Sequence, residues 1–223
     1  AWQSSVEKSA KMKENLLIVG GTGFIGENFA RLADRSGYKL VIISLNEPVK
    51  RQKLNNATYL QVDITNFNQL QGKLKDYSFD YVVNLSGYID HSEFLKGGNE
   101  LIDSHFEGVR NLLKLINWKR LKRFVQIGSS DEYGDAPAPQ KETDKCKPIS
   151  SYSFAKLASN QFLRMLFETE SFPVIILRLF LVFGPGQRID RFIPQVISNC
   201  LKAKTFPVSK GLQLRDFTYV EDI

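Results

Sequence analysis

Cysteine is scarce in this sequence: among 223 residues only Cys146 and Cys200 occur. They form no CxxC and no metal-ligand spacing, which excludes a disulfide framework and a structural metal. A reducing, cytoplasmic setting is expected. Long apolar runs are missing too. The most apolar stretch, 174–184, is interrupted by Arg178 and falls far short of the ~20 residues of a spanning helix, so no membrane partner is expected. Internal repeats and low-complexity linkers are also absent, which excludes collagenous and disordered classes. The first eleven residues, Ala1 to Lys11, lack the apolar core of a signal peptide. Met12-Lys13 reads as a native start, and 1–11 as a non-native or disordered leader.

What is there is ordinary globular material, 43% hydrophobic and 24% charged, enough for a sizeable core. The net charge is +6, from 30 basic and 24 acidic residues. That balance suits phosphorylated ligands and nucleic acid alike and selects neither. Basic residues cluster only at 50–53 and 119–123; the second cluster reads as the polar end of a helix, so no nucleic-acid partner is expected.

Short β-branched, apolar runs fall at 16–19, 40–45, 58–62, 81–85, 123–127 and 174–180. Helical patterns alternate with them at 24–36, closed by Gly37, and at 101–118, 151–169 and 191–202. Runs apolar throughout suggest strands buried on both faces. Their alternation with helices predicts an α/β fold, a doubly wound parallel sheet of Rossmann type. The stretch 134–148, rich in Pro, Lys and acid, reads as a surface loop.

Gly20-Gly21-Thr22-Gly23-Phe24-Ile25-Gly26 follows the first strand and opens the first helix. Glycines at 20, 23 and 26 let the chain turn tightly, approach a pyrophosphate and pack the helix near the sheet. Free N–H groups at the helix start then hold phosphate charge. This context makes Gly20, Gly23, Phe24, Ile25 and Gly26 candidate cofactor ligands. The second strand ends Ile43-Ser44-Leu45-Asn46, where an adenosine ribose would lie. Ser44 and Asn46, with Lys50, Arg51 and Lys53 nearby, favour a 2′-phosphate and hence NADP; Glu47 keeps NAD open.

Tyr152-Ser153-Phe154-Ala155-Lys156 places a phenol and an ammonium four apart, on one helix face. Tyrosine has an ordinary pKa of ~10, so making it a base near pH 7 costs about 4 kcal/mol. A cation ~4 Å away supplies about that much at an effective dielectric of 20. Lys156, helped by an oxidised nicotinamide, is therefore expected to make Tyr152 a proton shuttle.

With these motifs in this order the chain resembles the extended short-chain dehydrogenase/reductase family, the NAD-dependent epimerase/dehydratase group acting on nucleotide sugars. The resemblance runs from Leu16 to the last residue. It rests on Gly20 to Gly26, Val62-Asp63-Ile64-Thr65, Asn84-Leu85-Ser86-Gly87, Ile127-Gly128-Ser129-Ser130-Asp131-Glu132-Tyr133-Gly134, and Tyr152 with Lys156. It continues through Arg178, Phe183-Gly184-Pro185-Gly186-Gln187 and Arg215-Asp216-Phe217-Thr218-Tyr219-Val220-Glu221-Asp222.

The resemblance implies a dinucleotide-binding domain over 12–180 and the start of a substrate lobe over 181–223. Asp63 and Ile64 would meet the adenine, and Leu85, Ser86 and Gly87 would line the cofactor. Ser129 would hold the sugar oxygen while Tyr152 takes or returns the proton. Lys156 would also hold the nicotinamide ribose. Tyr88, Ser130, Gln187 and Arg215 would touch substrate. Asp131 stands where the 4,6-dehydratases place a catalytic glutamate. The implied reaction is oxidoreduction at C4 of a nucleotide sugar, of 4-epimerase or 4-ketoreductase type. The alternatives are a 4,6-dehydratase and a non-catalytic NAD(P)-binding module. A homodimer through 101–118 and 151–169 is expected.

The chain departs from the family pattern at identifiable places. His105 and Leu181 each replace an asparagine, and Phe183 replaces a tyrosine. Family members continue beyond Ile223, so the substrate lobe is expected to be incomplete.

Overall fold

The computed structural model describes residues 13–223; the leader expected over 1–11 lies outside them. Strands β1 (Asn15–Val19), β2 (Lys39–Ser44), β3 (Ala57–Gln61), β4 (Tyr81–Asn84), β5 (Arg123–Ser129) and β6 (Val174–Leu179) form one parallel sheet in the order β3-β2-β1-β4-β5-β6. Helices α1 (Phe24–Arg35), α2 (Phe67–Leu74), α3 (Gly98–Ile102), α4 (Gly108–Leu115) and α5 (Ser151–Glu170) run between them. After β6 come β7 (Leu181–Phe183), α6 (Phe192–Leu201) and β8 (Phe217–Tyr219), with β7 and β8 paired in parallel as a second small sheet.

Successive strand residues point to opposite faces, so an all-apolar strand covers both sides at once. Leu16 and Ile18 of β1 join Leu40, Ile42, Ala30 and Ala33 in one core, placing α1 on that face. Leu17 and Val19 join Val41, Ile43, Val109, Leu112, Leu163 and Leu166 in the other, placing α4 and α5 opposite. The sheet is therefore doubly wound. Burial on both faces holds for the middle of the sheet but not for its edges. Ile175 and Leu177 of the edge strand β6 are 44% and 37% exposed on the α1 face, while Val174 and Ile176 pack against the core on the other.

Two helical details position the site. Ser150 caps α5, its Oγ accepting from the Ser153 N–H at 3.1 Å, which fixes where the helix starts and thus where Tyr152 points. The single helix expected over 101–118 is interrupted: between α3 and α4 residues Asp103–Glu107 form a π-helical turn. Such a turn inserts one extra residue and is frequent at functional sites. Its carbonyl at His105 is met by Ser159 Oγ of α5 at 2.9 Å. Among the described residues no helix is long and apolar enough to cross a membrane.

Candidate active site

The chain order reverses between β1 and β4, which opens a crevice at the C-terminal edge of the sheet. The glycine turn lies there. Gly20 has φ +78°, a left-handed conformation, and its N–H donates to Ile43 O at 2.8 Å. A Cβ on Gly26 would collide with Gly20 O and come within 2.6 Å of Gly21 Cα, so α1 approaches the turn only because residue 26 has no side chain. Gly23 caps α1 without a side-chain hydrogen bond. The N–H groups of Phe24, Ile25 and Gly26 consequently have no intrahelical acceptor, which leaves them free for an anion. The turn fits a dinucleotide pyrophosphate.

At the ends of β2 and β3 an open cleft of about 600 Å³ lies among Leu45, Glu47, Gln61 and Asp63. A smaller one of about 120 Å³ adjoins it, lined by Thr22, Ser44, Asn46, Glu47 and Lys53. Ser44 Oγ accepts from the Thr22 N–H at 3.2 Å, tying β2 to the glycine turn. Asp63 Oδ1 holds the turn after β3, accepting from Thr65 N and Oγ1 at 2.9 and 2.8 Å. The Ile64 side chain is buried in the core, so only its backbone is available to a ligand. Leu85 continues β4, its N–H donating to Val19 O, and Ser86 Oγ is bonded to Asn84 Oδ1 at 2.6 Å. Leu85, Ser86 and Gly87 thus border the same crevice.

Ser129 ends β5, and Tyr152 and Lys156 lie on the first two turns of α5; all three are buried. The Ser129 hydroxyl lies near enough to the Tyr152 phenol to act on its titration. Lys156 Nζ donates to Ile127 O at 3.0 Å, leaving two of its three N–H groups for other acceptors, as a ribose diol would need. Electrostatics depart from the sequence expectation. Burial pushes the Tyr152 phenol up to about 12; the Ser129 hydroxyl opposes this, while Asp131 and Glu132 add to it and Arg191 counters them. Burial pushes the Lys156 ammonium down to about 8, opposed by the charge of Glu132. Desolvation therefore outweighs the activation that a simple phenol–ammonium pair would give.

Asp131 is exposed in the short turn after β5, with Ser130 half-buried beside it. Tyr88 is 45% exposed, and its carbonyl lies 3.1 Å from His105 Nε2. Gln187 follows β7, its Nε2 donating to Val182 O at 2.8 Å while Oε1 is buried without a partner. Arg215 is exposed just before β8 and bonds Gln213 at 3.0 Å, so nothing ties it to the Ser129–Tyr152 cluster.

His91 and Arg191, and His105 where the family pattern has an asparagine near the active site, also converge here. His105 and His91 meet the Tyr152 ring edge-on, with centroids 5.5 and 5.7 Å away. Burial and the Lys156 charge push the His105 imidazole down to about 3, so it is neutral at physiological pH. A carbonyl can only accept, so the Nε2 proton belongs to the bond with Tyr88. Arg191, which caps α6, acts on the Tyr152 phenol by its charge. His91 stands outside any periodic stretch, and Arg191 only opens the pattern at 191–202; His105 was visible as a departure from a motif.

A crevice of this kind, with a helix-start phosphate site on one side and a buried serine–tyrosine–lysine set on the other, defines an oxidoreductase of the dinucleotide-binding class. The comparisons narrow it. Residues 16–223 match the NAD dependent epimerase/dehydratase family, and the chain belongs to that family. It is similar to a dTDP-glucose 4,6-dehydratase of Haemophilus influenzae, 29% identical over 93% of this chain and 68% of that protein. Among solved structures, UDP-glucuronic acid 4-epimerase from Bacillus cereus in complex with NAD is 26% identical with a TM-score of 0.78, over 93% of this chain and 70% of that one. A UDP-glucose 4-epimerase from Thermotoga maritima, 22% identical with a TM-score of 0.84 over 93% of this chain and 70% of that one, shares the fold.

Proposed function

We propose that the chain transfers hydride between C4 of a nucleotide sugar and a nicotinamide cofactor. The observation that carries this reading is the burial of Ser129, Tyr152 and Lys156 in a fold that also carries the glycine turn. A pure binding module has no physical use for a buried phenol, serine and ammonium kept together. Relatives named as 4-epimerases and 4,6-dehydratases support the reaction class. The cofactor, when bound, supplies the hydride acceptor or donor.

The chain's own residues do the rest. Ser129 orients the sugar hydroxyl or carbonyl, and Tyr152 takes the hydroxyl proton in oxidation and returns it in reduction. Lys156 holds the ribose hydroxyls with its two remaining N–H groups. His105, neutral and donating to Tyr88 O, forms a dry wall against the Tyr152 ring. Asp131 sits close enough to influence Tyr152 and is the group that would carry an elimination, which keeps a dehydratase as the second reading.

For the cofactor the reading moves from NADP to NAD. Glu47 borders both clefts and its carboxylate would repel a 2′-phosphate while accepting from ribose hydroxyls. Of the cations at 50–53 only Lys53 lines either cleft, and it borders the smaller one alone. The titration that tests this compares NAD with NADP by calorimetry: tighter binding of NADP overturns it. A homodimer is proposed through α5, whose Phe154, Met165 and Phe167 are 51%, 41% and 56% exposed. The function itself is tested by Tyr152→Phe, which should abolish turnover of nucleotide sugars and leave cofactor binding intact. Retained turnover sinks the assignment.

A further inference from the structure

The glycine turn is held from outside as well as by its own backbone. Among the described residues neither polar group of the Thr22 backbone meets another backbone group. Its N–H donates to Ser44 Oγ at 3.2 Å, and its carbonyl accepts from Gln52 Nε2 at 3.1 Å. Gln52 ends a single 3₁₀ turn, Lys50–Gln52, in the connection between β2 and β3. Its Nε2 also donates to Glu27 Oε2 on α1 at 2.8 Å, and its Oε1 accepts from the Val49 N–H at 3.0 Å. Two acceptors at one end of the amide and a donor at the other fix which end is nitrogen. The backbone around Gln52 is pinned as well. Tyr59 Oη of β3 donates to Gln52 O at 2.9 Å, and Arg31, paired with Glu27 at 3.0 Å, donates to Arg51 O at 2.6 Å.

The Thr22 carbonyl and the Gly23 N–H belong to one planar peptide, so holding either end orients both. The N–H donates to Gly20 O at 3.1 Å, and the carbonyl depends on Gln52. Gly23 is the N-cap of α1, so this peptide leads directly into the free N–H groups of the helix start. An anion site whose donors are already ordered binds more tightly than one that must be arranged on binding. Gln52 lines neither of the clefts at the ends of β2 and β3, so its influence on a ligand runs through the turn. Glu27 lies in the first turn of the same helix, where its charge would oppose a bound anion, and Arg31 and Gln52 each hold one of its oxygens.

We propose that Gln52 is a positioning residue of the phosphate site, its amide ordering the Thr22–Gly23 peptide so that the free N–H groups of α1 stand ready for a dinucleotide diphosphate. The proposal rests on the reading of the glycine turn as a pyrophosphate site.

The test titrates NAD and ADP-ribose by calorimetry, and adenosine, which carries no phosphate, by ligand-observed NMR. Gln52→Met keeps the length of the side chain and removes both donors. Affinity for NAD and ADP-ribose should fall about fivefold or more, while adenosine should bind as it does to the parent. Glu27→Gln alone should not lower NAD affinity, and Gln52→Met added to it should bring the same loss. That comparison separates the Thr22 peptide from the Glu27 charge. The double variant also leaves no carboxylate short of a donor, should Gln52→Met alone fail to fold. Unchanged NAD affinity in folded Gln52→Met overturns the proposal. So does a loss of adenosine in step with NAD, which a general distortion of the segment after β2 would give. A double variant that binds NAD as well as Glu27→Gln does also overturns it, since the charge then accounts for the effect. A parent chain that binds no NAD overturns the reading of the turn and this proposal with it, so the two failures are distinguishable.

Discussion

A phenol with its pKa pushed up to about 12 holds its proton throughout the physiological range. Tyr152 is therefore ready as an acid, and as a base it depends on whatever positive charge is brought beside it. Replacing it by phenylalanine removes only the proton carrier. Steady-state assays should show turnover reduced by ~10²–10⁴-fold or more, with cofactor affinity kept. His105 makes a prediction about stability. Its native value of about 3 lies below its ordinary 6.5, so between those values the unfolded chain binds a proton that the folded chain refuses. Stability contributed by the neutral imidazole is complete above pH 6.5 and is lost as the pH falls, at about 1.4 kcal/mol per pH unit. In denaturant melts from pH 7 to 4, His105→Asn should flatten that acid limb. An equally steep limb in the variant would contradict the buried, neutral assignment. The sequence could name Tyr152, Lys156 and Ser129 because each sits in a linear motif. It could not reveal the direction of the Tyr152 shift, because burial is a property of the packed site and not of the spacing Tyr152–Lys156.

At the scale of elements, the glycine turn and the first helix act as one unit. Gly26→Ala would force Gly20 and Gly21 away from α1, at a cost of about 1–3 kcal/mol. The same shift disturbs the N–H groups of Phe24 and Ile25, so NAD affinity should fall about tenfold or more, measured by calorimetry. Unchanged affinity in a folded variant would mean the phosphates bind elsewhere. The six strands of the main sheet were legible to within two residues at nearly every end, because buried parallel strands are written as unbroken apolar runs. The helix α2 was not foreseen. Its eight residues are cut by Asn68, Gln69, Gln71 and Gly72, too polar and too short to display a period. The break between α3 and α4 was also invisible, since one inserted residue leaves the apolar pattern of 101–118 looking continuous. Strands β7 and β8 have three residues each, below the length at which alternation can be read.

For the whole molecule, the doubly wound sheet follows from strands apolar on both faces, and strand order then fixes the crevice between β1 and β4. The proposed dimer makes a prediction at this scale. Sedimentation should give a species of twice the chain mass, and Phe154→Glu with Met165→Glu, which share a face of α5, should convert it to monomer and lower the melting temperature. A parent chain that already sediments as a monomer would contradict it. What the sequence concealed about the site is what tertiary contact alone creates. His91 and Arg191 approach Tyr152 from two separate segments, and the full burial of Glu132 follows from its packing and not from its place in the motif.

Hydride transfer at C4 is read out by following an isotope from the sugar to the nicotinamide. The chain would be incubated with NAD and nucleotide sugars carrying deuterium at C4, among them dTDP-glucose, UDP-glucose and UDP-glucuronic acid, then quenched and the nicotinamide weighed by mass spectrometry. Deuterium on the nicotinamide with at least one of these sugars, and none with Tyr152→Phe, is the predicted result. NAD bound firmly by the parent chain with no deuterium gained from any of them would contradict the account and leave a binding module without chemistry.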